Sequence, residues 1–180
     1  LAKNGDADRL YFYFAGHGMG VENDSENNGL CLSNWDEFMF NVATLSSEDY
    51  KRIFVSSGFF KEVVIWLDCC RNTKIRLNPA MSPGVNFRGR QTAPKYFVGF
   101  STTYENPAYE ASYAAGSQPE PRGIFTKVLL DGLNGAARRA DGKIDAESLS
   151  AYLYRNVPVE AASHGFSQDP ELLHNTSQVK

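Results

Sequence analysis

The sequence predicts an α/β fold, a three-layer sandwich around a mainly parallel sheet. Two observations point there: short continuous apolar runs alternate with capped amphipathic stretches, and the runs are dense enough in β-branched and aromatic residues to be strands covered on both faces. With 180 residues, 42% hydrophobic and 22% charged, the chain suits one domain with one sizeable core.

In chain order, Leu10 to Phe14 (LYFYF) reads as a buried strand, bounded by Gly16, Gly18 and Gly20. Residues 19 to 34 read as polar and irregular. "TLSSEDYKRIFVSSG" predicts a helix capped by Ser46, with Asp49 at the capping-box position, Tyr50, Ile53 and Phe54 inward, and Gly58 as its stop. "KEVVIWLDCC" is the central strand, ending at Asp68. Residues 71 to 94 read as one long loop, a length that usually carries function. "KYFVGFST" is a third strand, "NPAYEASYAAG" a short helix, and "RGIFTKVLLDGLNG" a helix with Ile124, Phe125, Val128, Leu129 and Leu133 inward. "DAESLSAYLYRNV" is the last clear helix, capped by Asp145; after residue 157 only "ELLH" suggests an edge strand.

A net charge of −3 gives no footprint for nucleic acid and no polybasic membrane patch. No run approaches the roughly 18 apolar residues needed to cross a bilayer, and no secretory leader pattern is present, so a cytoplasmic location is expected. Three cysteines, Cys31, Cys69 and Cys70, do not make a disulfide framework and fit a reducing compartment. No metal or cofactor is expected: Asp24, Glu26 and Asp36 lack a calcium-loop pattern and read as solvated charges.

The chemistry gathers at two strand ends. In open α/β sheets ligands bind beyond the carboxyl ends of the strands. His17 stands at one such end and the Cys69–Cys70 pair at another. An imidazole facing a thiol raises its thiolate fraction and later delivers a proton to a leaving group. Strand alternation sends the two cysteines to different faces, so only one addresses a cleft. Gly18 lets the backbone approach closely, and its N–H with that of the nucleophile could receive an oxyanion.

"GHG" at one strand end and "DCCRN" at another, about fifty residues apart, resemble the two halves of a caspase-type active site, in the clan that includes metacaspases and, closest here, bacterial caspase-like peptidases. "GLCLSNWDE", "YFVGFSTTYENPAYEA" and "RGIFTKVLLDGLNGAAR" extend the resemblance over roughly residues 10 to 157. It implies a cysteine endopeptidase with His17 as catalytic histidine, Cys70 as nucleophile, and Gly18 with Cys70 as oxyanion donors. Cys69 is left to packing. Asp68 falls where metacaspases carry an acidic residue that holds a substrate Arg or Lys, while Tyr104 and Tyr109 fall in the substrate-side loop.

The implied partner is a protein or peptide with a basic residue before the cleaved bond. Residues 71–94 resemble the linker between large and small subunits, where Lys74, Arg76, Arg88 and Arg90 would suit cleavage by another copy. Ala15 replaces a serine common in metacaspases, and Arg71–Asn72 replaces their His-Ser continuation. The family's opening β/α elements have almost no room before Leu10; a preceding segment or a second chain is expected to complete the sheet. Two other classes fit the residues: a catalytically inactive caspase-like binding or scaffold module, and an unrelated thiol hydrolase on a flavodoxin-like sheet.

Overall fold

The computed structural model describes residues 7–36, 38, 43–72, 74–76, 94–115 and 118–175. Strand β1 (Ala7–Gly16) leads into a hairpin of β2 (Gly18–Val21) and β3 (Asp24–Cys31), then β4 (Thr44–Ser46) and helix α1 (Ser47–Ser56). The central strand β5 (Phe60–Cys69) is followed by β6 (Lys74–Ile75) and β7 (Lys95–Phe100). A second hairpin, β8 (Glu110–Ala115) and β9 (Gln118–Gly123), precedes α2 (Ile124–Asp131), α3 (Ala146–Ser163) and β10 (Glu171–His174).

The main sheet runs β1-β5-β7-β10, with the first three strands parallel and β10 antiparallel to β7. The expected three-layer α/β sandwich is therefore present. Alternation along β5 explains the layers. Val63, Ile65, Leu67 and Cys69 face one side, where Leu10, Phe12, Phe14 and Phe54 join them beneath α1. Trp66 faces the other side and packs with Phe97, Phe125, Val128, Leu149, Leu153 and Val157 under α2 and α3. Gly99 makes that packing possible, since a Cβ there would stand 2.5 Å from the Trp66 ring. The caps are as expected: Ser46 accepts from Asp49 N, and Asp145 forms a capping box with Ser148.

Several expectations are corrected. The 10–14 run lies at the sheet edge, with Tyr11 60% and Tyr13 52% exposed, because β1 pairs only with β5 among the described residues. Residues 19–34 hold a hairpin, turned at Glu22–Asn23 with Asn23 at φ 60°. Its polar strand is stable because Asn27 and Asn28 are buried and hydrogen-bonded; Asn27 Oδ1, for example, accepts from Glu48 N at 3.2 Å. The expected helix in 106–116 is strand β8, paired antiparallel to β9. Leu133 is exposed because a π-helical turn, Gly132–Ala136, shifts the phase after α2 and breaks at Gly135 (φ 127°). α3 continues through Pro158 to Ser163; buried Val157 and Ala161 carry it past the missing N–H.

Candidate active site

The β1–β5 register pairs Gly16 with Cys69, so His17 and Cys70 are the first residues beyond two neighbouring parallel strands. Immediately after His17 the chain turns back as β2 and crosses the end of β5. That crossing requires glycine. A Cβ on Gly18 would lie 2.5 Å from Cys69 Sγ and 2.9 Å from Cys70 O, and one on Gly20 would lie 2.7 Å from Arg71 O. The hairpin that begins at the histidine is thus pressed onto the backbone of the cysteine pair. His17 is exposed, and its carbonyl accepts from Cys31 N at 3.0 Å.

The two cysteines divide as alternation requires. Cys69 is 2% exposed and accepts from Asn28 Nδ2 at 3.2 Å; burial, only partly offset by that amide, pushes its thiol up to about 12. Such a thiol stays protonated at neutral pH and is a poor nucleophile. Cys70 is half-buried, with Sγ 3.4 Å from Ala108 N and 3.5 Å from Ala108 O. It faces the loop that leads into β8.

Asp68 is 8% exposed on the α2 side of β5. Its Oδ2 accepts from Thr126 N at 3.2 Å and Thr126 Oγ1 at 2.6 Å, which caps a helix whose own N-cap, Gly123, has no side chain. Gly123 must be glycine for the same reason, since a Cβ there would collide with the carboxylate. Burial raises the Asp68 carboxyl above the usual aspartate range, the Thr126 donors oppose the shift, and the charge of Glu110 adds to it. Glu110 sits opposite Gly123 in the β8–β9 register.

Tyr104 and Tyr109 hold scaffolding positions. Tyr104 donates to Val21 O at 2.7 Å and lies under the Arg71 guanidinium, while Tyr109 stacks on Phe166 at 4.3 Å. The basic linker residues Arg88 and Arg90 lie outside the described residues. Arg76 pairs with Glu22, and β6 adds to β2 in parallel.

Arg71 is the residue whose role the sequence did not disclose. It is fully buried. Its guanidinium donates to Asn28 Oδ1 (2.8 Å), Thr102 O (3.2 Å), Glu171 Oε2 (2.5 Å) and Ser25 O, and lies over Phe100 at 4.2 Å. Its backbone N–H donates to Asn106 O at 2.9 Å. One side chain therefore ties the hairpin after His17, the ends of β5 and β7, and β10 into a single block. The only outward signal is an arginine directly after a strand-end cysteine.

A mainly parallel sheet between helical layers, with histidine and cysteine at adjacent strand ends, defines a caspase-like α/β protein. The sequence profile of the caspase domain matches residues 1–180, and the chain belongs to that family of peptidase domains. It is 26% identical over 133 residues to a "Probable protease" from a Desulfuromonadales bacterium, a match covering 72% of this chain and 16% of that protein. Among solved structures it resembles protein GSU0716 from Geobacter sulfurreducens, with a TM-score of 0.53, 13% identity, and coverage of 97% of this chain and 68% of that one. The last likeness bears on fold. Among the described residues no helix is long and apolar enough to cross a membrane.

Proposed function

We propose that the protein is a cysteine endopeptidase that cleaves after Arg or Lys through a Cys70–His17 dyad. The observation that carries the reading is the contrast at the end of β5: Cys69 is sealed with its thiol pushed up to about 12, while the neighbouring Cys70 is accessible beside the strand end that bears His17. The imidazole takes the thiol proton and Sγ attacks the peptide carbonyl, forming a C–S bond and an oxyanion held by the N–H groups of Gly18 and Cys70. The oxyanion collapses, the C–N bond breaks, and His17 returns the proton to the departing amine. Water then hydrolyses the thioester and restores the thiol.

Asp68 supports the basic preference. It is a buried carboxylate, with Glu110 adding negative potential and no basic side chain paired with it among the described residues. A substrate guanidinium or ammonium would neutralise it, whereas a substrate aspartate would be repelled.

The test is alkylation by an arginyl peptide carrying a thiol-reactive ketone, with peptide mapping of the adduct and turnover of matched Arg, Lys and Asp substrates. Modification of Cys70 alone and cleavage of Arg and Lys peptides are expected, lost in Cys70→Ala and at least 100-fold reduced in His17→Ala, about the contribution of a general acid–base group. An adduct on Cys69, or equal turnover of Asp and Arg peptides, would refute the respective assignments. Absence of any adduct would favour a binding module.

A further inference from the structure

The hydroxyl groups around Asp68 have a defined direction. Thr126 has one hydroxyl proton, and its 2.6 Å hydrogen bond to Asp68 Oδ2 commits that proton to the carboxyl group. The 2.8 Å contact between Tyr13 and Thr126 must then be donated by Tyr13. The result is an ordered chain, Tyr13 O–H to Thr126 Oγ1 and Thr126 O–H to Asp68 Oδ2, reinforced by the Thr126 backbone N–H. It runs from the open edge of the main sheet, where Tyr13 is half exposed, to a buried carboxylate two residues from Cys70.

The geometry points to Thr126 and Tyr13 as positioning residues for substrate specificity: their donor chain fixes Oδ2 of Asp68 and keeps the carboxylate ionised for a basic substrate side chain. This rests on the proposed role of Asp68 as the specificity carboxylate. The physical need is clear from what surrounds it. Burial and the Glu110 charge from β8 both favour the neutral acid, the Cys69 thiol and the Tyr13 phenol bring no cation, and only hydrogen bonds favour the charged form, those of Thr126 first and that of Ser101 after them. Two donors on Oδ2 also hold the carboxylate plane still and leave the lone pairs of Oδ1 for a substrate cation.

The experiment reads the carboxylate directly. In the intact 180-residue chain labelled with 13C-aspartate, the Asp68 carboxyl signal is identified by its loss in Asp68→Asn and titrated in the parent, Thr126→Val, Thr126→Ser and Tyr13→Phe. The midpoint is expected to move to higher pH in Thr126→Val, by a smaller amount in Tyr13→Phe, and to stay near the parent in Thr126→Ser. In parallel, kcat/KM for an Arg peptide should fall about tenfold more at pH 5.5 than at pH 8 in Thr126→Val, the worth of one hydrogen bond to a charged group, with rescue by serine. An unmoved midpoint in folded Thr126→Val overturns the proposal, and a pH-independent loss of activity would mark Thr126 as structural only. Should Thr126→Val not fold, Tyr13→Phe decides by the same titration. Failure of the parent to cleave basic peptides would instead refute the substrate reading, and the titration would still decide the donor chain.

Discussion

At the scale of single residues, the site is built from neighbours with opposite environments. Asp68 and Cys69 are both buried, yet one is an ionisable group surrounded by donors and the other an inert thiol under Asn28. Strand alternation made the split between Cys69 and Cys70 legible from sequence, since consecutive residues cannot share a face. The burial of Asp68 was not legible, because a strand-terminal aspartate is ordinarily solvated. That burial has a pH signature. The folded-state value is raised, chiefly by desolvation and then by Glu110 after the offset from Thr126 and Ser101. Ionisation is thus harder in the folded chain than in the unfolded one: the penalty is absent below the unfolded aspartate range and fully present once pH exceeds the folded value. Asp68→Asn keeps an oxygen to accept from Thr126 and removes the charge. Its melting temperature relative to the parent should therefore rise as pH climbs out of the unfolded aspartate range and level off once pH exceeds the folded value, in matched thermal scans. A difference independent of pH would mean that Asp68 is not held against its charge.

At the scale of elements, sequence reading succeeded where apolar periodicity decides the structure and failed where polar contacts do. β5, β7, α1 and the start of α3 were legible from runs and caps. The β2–β3 hairpin was hidden because its buried faces include Asn27 and Asn28, whose partners come from α1, Cys69 and Arg71, all distant in sequence. β8 was hidden because its residues suit helix as readily as strand, and pairing with the proline-bearing β9 settles the matter. Arg71 joins these elements, and its ion pair with Glu171 reaches across 100 residues of chain. Removing the partly exposed Glu171 leaves the fully buried Arg71 guanidinium with neutral acceptors only, Asn28 Oδ1, Thr102 O and Ser25 O. Glu171→Ala should lower unfolding stability by about 1.5 kcal/mol, the lower end for a hydrogen bond to a charged group, read as a shift in the urea midpoint, while Glu171→Gln, which keeps an acceptor, should lose less. Arg71→Ala should exceed both, since it also orphans Asn28 Oδ1 and Thr102 O. Equal effects of Glu171→Ala and Glu171→Gln would show that the interaction is surface-like.

At the scale of the whole molecule, the sheet is asymmetric. β10 closes one side as a short antiparallel strand, a common way to finish a parallel sheet, but β1 is a ten-residue strand with only β5 beside it among the described residues. Beside it lies a cavity lined by Tyr11, Val64, Trp66, Leu133, Ile144 and Leu149. The cavity is lined by charged residues as well, Arg9, Glu62, Lys95 and Asp145, and the edge above it exposes Tyr11 and Tyr13 with no second strand beside it among the described residues. The consequence for the 180-residue chain is directional. Amides of β1 that point toward β5 should be protected from hydrogen exchange nearly as well as those of β5, whereas the alternate amides that point outward should exchange orders of magnitude faster, although they sit in the same strand. Exchange resolved by residue, at two protein concentrations, checks this. Outward amides protected equally at both concentrations would mean that the edge is already closed within the chain; protection that grows with concentration would mean that a second copy pairs with β1, and Tyr13, whose hydroxyl is linked through Thr126 to Asp68, would then carry that contact toward the buried carboxyl.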